Sequence, residues 1–243
     1  MKKYEHVISL GYFCGPSSEL EKIGLRDASY PFDWLISDME GIMDCIKNDF
    51  KGFLKEDTLY QYKSNKGYYK NTEYNFHFYH DFSNKNKLKD QLPSVEEKYS
   101  RRIERFKENT KCTTLFVRYV ENQNEMNFIL NNYNDVISQL RESNESNDLL
   151  LISNSEVDGK QLEVFKVEKD KNDSVARLFL GKNKKLEHFL NSDIYDAEKR
   201  QKNIEKYKRK QKKQMRFNFV KKAMKKLRNI IKKDYIHSRI IDN

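Results

Sequence analysis

The chain is poor in the residues that build disulfide, metal and phosphate-loop proteins. Of its 243 residues only three are cysteine, Cys14, Cys45 and Cys112. They are too few and too scattered for a disulfide framework, and no C-x-x-C pair suggests structural zinc or thioredoxin-like redox chemistry. A reducing cytosol suits that usage. Neither G-x-G-x-x-G nor G-x-x-x-x-G-K-[ST] occurs, so nucleotide chemistry of those two kinds has no support, and no cofactor or metal is expected. No apolar run approaches the roughly 20 residues of a membrane-crossing helix. The opening MKKYEHVISLGYFC is interrupted by Glu5 and His6 and lacks the length of a signal-peptide core, so secretion by the usual route is not expected. No 20–50-residue repeat is apparent.

What is abundant is charge and aromatic side chain. Hydrophobic residues make up 37% and charged residues 35%, a polar balance, yet 15 Tyr, 15 Phe and one Trp supply bulky core material and argue against disorder throughout. The net charge of +10 is unevenly spread: residues 198–243 carry 18 basic against 4 acidic side chains, which leaves 29 basic against 33 acidic in residues 1–197. The expected organisation is a mildly acidic domain over 1–197 and a basic helical tail over 198–243.

Periodicity predicts a strand at HVISL (6–10), a turn at Gly11, and a short helix after Ser17 and Ser18 that includes ELEKIGL and ends at Gly24; Pro16 suits its first turn. Helical spacing continues from Met39 through Phe50 and Phe53, placing Cys45 on a helix. Alternation at Tyr74, Phe76 and Phe78 predicts a strand ending near His80. Residues 94–109 read as a helix opened by a Ser94-x-x-Glu97 capping box. Strands are expected at 112–120 and 149–153, separated by a helix over 124–141, with further ones at 162–167 and 177–180. Alternating strands and helices of this kind make an α/β domain of three layers with a mixed, partly parallel sheet.

The tail, 198–233, has neither Gly nor Pro and predicts one long helix; Phe217, Val220, Met224, Leu227 and Ile231 recur at spacings of 3 and 4 within a Lys/Arg cover. Three partners suit such a basic amphipathic helix. They are an anionic membrane surface, the protein's own body or a partner chain, and, with the least support because no groove-reading motif accompanies the charge, nucleic acid.

Cys14 stands where a strand passes into a helix. There, unpaired backbone N–H groups and the helix dipole favour thiolate and could hold an oxyanion; the plainer reading is a buried small hydrophobe. A cysteine nucleophile needs an imidazole. His80 and His77 are the candidates, and on a regular strand they face opposite ways. Asp81, Asp33 and Asn75 are possible orienting groups, although Asp81 points away unless the strand has ended. Arg118, mid-strand, requires an anion: either an internal carboxylate, with Asp33 a candidate, or a substrate carboxylate or phosphate.

Residues 8–35 (ISLGYFCGPSSELEKIGLRDASYPFDWL), 78–82 (FYHDF) and 115–119 (LFVRY) together resemble a bacterial family of unknown function described as papain-like cysteine peptidases. With Asp81 and Asp33 kept as candidate orienting acids and Arg118, Trp34 and His77 as candidate substrate contacts from the residues themselves, the resemblance implies Cys14 as nucleophile and His80 as base. It also implies a peptide or glycan-linked small-molecule substrate and work at the cytoplasmic side of a membrane near surface-polysaccharide synthesis. The competing expectation is a non-catalytic partner-binding protein, or a transferase using Asp33, Asp81 and Arg118 on an anionic sugar donor.

Overall fold

The computed structural model describes residues 2–63, 66–168 and 181–241; in the last helix the side chains of residues 223 and 226–241 lie outside that description. β1 (His6–Ser9), β6 (Thr114–Val120), β7 (Asp148–Asn154) and β8 (Val164–Val167) form a parallel sheet in the order β1-β6-β7-β8. Parallel neighbours require crossover connections. From β1 to β6 and from β6 to β7 those contain α1 (Cys14–Lys22), α2 (Met39–Lys47), α3 (Leu88–Asn109), α4 (Gln123–Asn131) and α5 (Tyr133–Arg141), while residues 155–163 join β7 to β8 without a helix. A second, antiparallel sheet lies inside the first crossover: β2 (Leu35–Ile36), β3 (Leu59–Lys63), β4 (Tyr68–Asn71) and β5 (His77–Phe78), ordered β2-β5-β4-β3. α6 (Lys184–Asn191) and α7 (Ala197–Ile241) complete the chain.

Strand alternation divides the core between the two faces of the parallel sheet. Val7, Leu115, Val117 and Ile152 face α1 and α6, packing with Leu20, Leu186 and Leu190. Ile8, Phe116, Val120 and Leu151 face the opposite way, into a larger aromatic core with Tyr99 and Phe106 of α3, Phe78 of the second sheet, and Phe32, Phe53 and Phe76 from the connecting segments. The α/β fold with a partly parallel sheet is therefore observed, with helices on both faces.

Local differences from the sequence expectation have physical causes. α1 starts at Cys14 rather than after Ser17. α2 stops at Lys47 because Asp49 and Phe50 adopt positive φ (54° and 60°), so Phe50 and Phe53 enter the core from a turn. The capping box at Ser94 does not form: α3 already runs from Leu88, Pro93 lies within it, and Ser94 Oγ donates to the Gln91 carbonyl at 2.9 Å. The helix over 124–141 is two helices broken at Asn132, and α6 has no counterpart in the sequence reading. The strand before His80 shrinks to two residues. Asn71 Oδ1 accepts from the N–H groups of Glu73 (3.1 Å) and Tyr74 (2.8 Å), and Asn75 has φ 58°, so a turn occupies the stretch that alternates in sequence. The strand expected at 177–180 lies outside the described residues.

The first turns of α7 dock on the end of α1. Arg200 Nε donates to the Ile23 carbonyl (2.9 Å), Asn203 to that of Gly24 (3.0 Å), and Lys210 pairs with Glu21 (2.9 Å). A glycine is required there. Gly24 has φ +77°, and a Cβ on it would stand 2.5 Å from the Arg200 carbonyl oxygen. Farther along, Phe217, Val220 and Met224 are 62%, 51% and 61% exposed, while Leu227 and Ile231 lie among the undescribed side chains. Among the described residues no helix is long and apolar enough to cross a membrane.

Candidate active site

The SLG-x-x-C segment leaves β1 at the carboxyl end of the parallel sheet, the edge where open α/β sheets place their ligands. Gly11 and Tyr12 both adopt left-handed φ, 81° and 75°, and α1 begins two residues later at Cys14. Gly11 cannot be replaced without displacement, since a Cβ would meet the Phe32 carbonyl at 2.7 Å and Ser37 Oγ at 3.2 Å. Phe13, the N-cap, provides no side-chain acceptor for the first turn. The positive end of a helix favours a thiolate or an oxyanion at this position. Cys14 is half-buried and not in a disulfide. One turn on, the buried Ser17 hydroxyl has no hydrogen-bond partner.

Arg118 braces this loop from below. It is fully buried. Nε donates to Glu125 (2.7 Å), Nη1 to the Leu10 carbonyl (2.7 Å) and Ser37 Oγ (3.1 Å), and Nη2 to the Ser37 carbonyl (2.6 Å) and Glu125. The internal carboxylate is thus Glu125 and not Asp33, which instead pairs with Arg26. All five guanidinium N–H groups are engaged, so Arg118 serves as a bracket and offers nothing to a substrate anion. Burial raises the Glu125 carboxyl against the pull of Arg118.

Tyr12 was not singled out by sequence. Its ring lies 5.8 Å from that of Tyr119, and burial, then the Glu121 carboxylate, push its phenol up to about 12. It is a neutral O–H donor near pH 7. Tyr79 and Glu125 also act on it electrostatically, which brings the second sheet beside the Cys14 turn. The Ser37 N–H donates to the Tyr12 carbonyl at 3.2 Å, Ser37 directly follows β2, and β2 pairs with β5 through Leu35↔Phe78 and Ile36↔His77.

His77 is half-buried among Tyr62 (ring centroids 5.4 Å) and Tyr79 (6.3 Å), with Nδ1 buried and unpartnered. Burial, then the Lys70 charge, hold its imidazole below the usual value. His80, beyond the strand, is exposed and meets Trp34 edge-on at 6.3 Å. Trp34 in turn lies 5.8 Å from the Arg26 guanidinium. Asp33 is completely buried; its Oδ2 accepts from Arg26 Nε (3.0 Å), Arg26 Nη2 (2.6 Å) and the Tyr30 N–H (2.8 Å). It orders the Arg26–Trp34 stack that His80 touches. Asp81 turns to α3 instead, pairing with Lys98 and accepting from Tyr99 Oη at 3.1 Å. Asn75 donates to Asp38 at 2.6 Å rather than to either imidazole. Asp33, Asp81 and Arg118 therefore each serve a different internal partner and do not converge on one anionic donor. Among the described residues no cluster of His, Cys, Asp and Glu could hold a metal.

A family profile described as "Putative papain-like cysteine peptidase (DUF1796)" matches residues 5–153, which contain Cys14, His77, His80 and Arg118. Among relatives, "Uncharacterized protein R408" of Acanthamoeba polyphaga mimivirus is 30% identical over a 119-residue alignment covering 41% of this chain and 53% of that protein. The chain thus spans about half of that relative's length, and a viral relative gives no support to the expected bacterial source. No solved structure matches. The chain belongs to the DUF1796 family of papain-like cysteine peptidase-like domains.

Proposed function

We propose that the protein is a cysteine-dependent hydrolase or acyl transferase. The observation that carries this reading is the position of Cys14. It is the first residue of a helix whose N-cap supplies no side-chain acceptor, at the carboxyl end of a parallel strand, within the region matched by the family. In this reading the Cys14 thiolate attacks an acyl carbon, forming the S–C bond, while first-turn N–H groups hold the oxyanion. His80, ordered by Trp34, protonates the leaving amine as the C–N bond breaks, then takes a proton from the water or acceptor alcohol that releases the thioester. His77, already biased toward neutral imidazole, is the alternative base. Peptide or amide bonds are the first substrate class to try, and glycan-linked acyl groups the second. Incubation with a p-nitrophenyl ester, read by intact-protein and peptide mass spectrometry, should show an acyl adduct on Cys14 that Cys14→Ala removes. Ester turnover that is unchanged in Cys14→Ala, with no adduct, overturns the reading.

We further infer that α7 attaches the protein to an anionic membrane surface, which would place the chemistry at the cytoplasmic face, near glycan synthesis. Support comes from the exposed Phe217, Val220 and Met224 within a lysine-rich cover. Flotation with phosphatidylserine vesicles should be lost on removing residues 198–243; flotation that survives the truncation contradicts it.

A further inference from the structure

α3 carries Lys98, Arg101, Arg102 and Arg105 at spacings of 3, 1 and 3, which gathers four cations on one helical face. That face forms one wall of a cleft of about 330 Å³ whose other lining residues are Asp27, Ala28 and Ser29, just before the PFDW motif, and Lys206 of α7. Five cations thus share the cleft with one carboxylate, and Asp27 is already engaged by His6 (2.7 Å) and by the Tyr30 hydroxyl (2.8 Å). Lys98 is paired with Asp81 and Arg101 with Glu97. Arg105 donates to the Ser29 carbonyl at 2.7 Å, which satisfies a donor but leaves the charge unbalanced. Arg102 is stacked 4.9 Å over the Tyr99 ring with Nη1 buried and unpartnered, and Asp33, which feels its charge, is held by Arg26. Among the described residues Lys206 has no carboxylate partner.

Clustered arginines with fixed fork geometry and an excess of cations suit a phosphoryl group better than a lone carboxylate. We propose that this cleft binds a phosphoryl group of at least two negative charges, a mono- or diphosphate, between Arg102, Arg105 and Lys206. The site stands independently of Cys14. Its walls are nevertheless tied to the two family motifs, through Lys98 to Asp81 and through Arg105 to Ser29, so an occupied cleft would order the segments that carry Trp34 and His80.

The test is calorimetric titration of the full chain with sodium pyrophosphate at about 0.15 M salt, where diffuse surface attraction is screened. We expect saturable one-site binding, weakened about tenfold or more by Arg102→Gln and by Arg105→Gln, several-fold by Lys206→Gln, and not at all by Lys85→Gln. Lys206 is exposed on α7, so its replacement leaves the body folded and keeps the test decisive if an α3 variant does not fold. Absence of saturable binding, or equal weakening by Lys85→Gln, overturns the proposal. Vesicles containing phosphatidic acid separate the two sources of phosphate. Competition between vesicles and pyrophosphate that Arg102→Gln abolishes assigns the cleft to a lipid headgroup; pyrophosphate binding unaffected by vesicles assigns it to a soluble phosphate ester.

Discussion

The two regions that meet at the candidate site are built in opposite ways. The Gly11–Cys14 turn sits on a parallel sheet and is clamped from beneath by the fully buried Arg118–Glu125–Ser37 network. His77 stands on β5 of the second sheet, a two-residue strand joined to β2 and to β4 by ladders of two residue pairs each, and His80 lies exposed beyond it. Short ladders and solvent-exposed ends mark the low end of local stability. Under the proposed function, the thiol's position is set by the core before a substrate arrives, while the imidazole's depends on Trp34 and on whatever fills the neighbouring cleft.

Breaking the clamp should have the largest effect. Glu125→Leu leaves the buried Arg118 charge uncompensated and should cost about 3–5 kcal/mol in urea unfolding; a loss below about 1 kcal/mol would mean that the turn is not braced as described. Gly11→Ala forces a Cβ against the Phe32 carbonyl in a left-handed conformation and should cost about 1–3 kcal/mol, visible in the same unfolding curves. On the second sheet, Trp34→Ala should remove about 1 kcal/mol or less, the worth of one partly exposed stack. It should instead broaden or shift the His80 ring resonances in NMR spectra, a change that a clamp variant that stays folded does not produce.

The smallest effect is the pH dependence of His77. Its imidazole is held below the ordinary value of about 6.5, so the unfolded chain binds the proton first. The stability gained from the neutral ring is complete above about pH 6.5 and is lost as pH falls toward the folded-state value. His77→Gln should flatten unfolding free energy against pH below about 6.5, and an unchanged slope would exclude His77 as the source.

What sequence could show follows from the range of the interactions. The strand–turn–helix passage around Cys14 is local, written in Gly11 and in the spacing of Leu20 and Ile23, and it was legible. The placing of Cys45 on a helix was legible for the same reason, while its burial, open between core and surface in the sequence, was settled by the fold. The capping box at Ser94 was a false signal, because Pro93 does not stop a helix already begun at Leu88. The partner of Arg118 was missed although Glu125 lies only seven residues away. β6 ends at Val120, and the turn into α4 that folds Glu125 back has no marker beyond the Asn122 cap. Tyr12 gave no signal either, since its left-handed φ comes from tertiary packing. The cationic cleft was illegible for a longer-range reason: Ser29, Arg102 and Lys206 are brought together only by the docking of α3 and α7 on the body.

The central claim, a thiolate at Cys14 supported by a helix N-terminus and an imidazole, is tested most directly by the pH dependence of iodoacetamide labelling, mapped by peptide mass spectrometry. Cys45 is the internal control, because burial pushes its thiol up and should keep it unlabelled in the folded protein. The account predicts Cys14 labelling with a midpoint well below the ordinary thiol value of about 8.5, moved upward in His80→Ala. A Cys14 that titrates near that ordinary value, identically in both proteins, contradicts it.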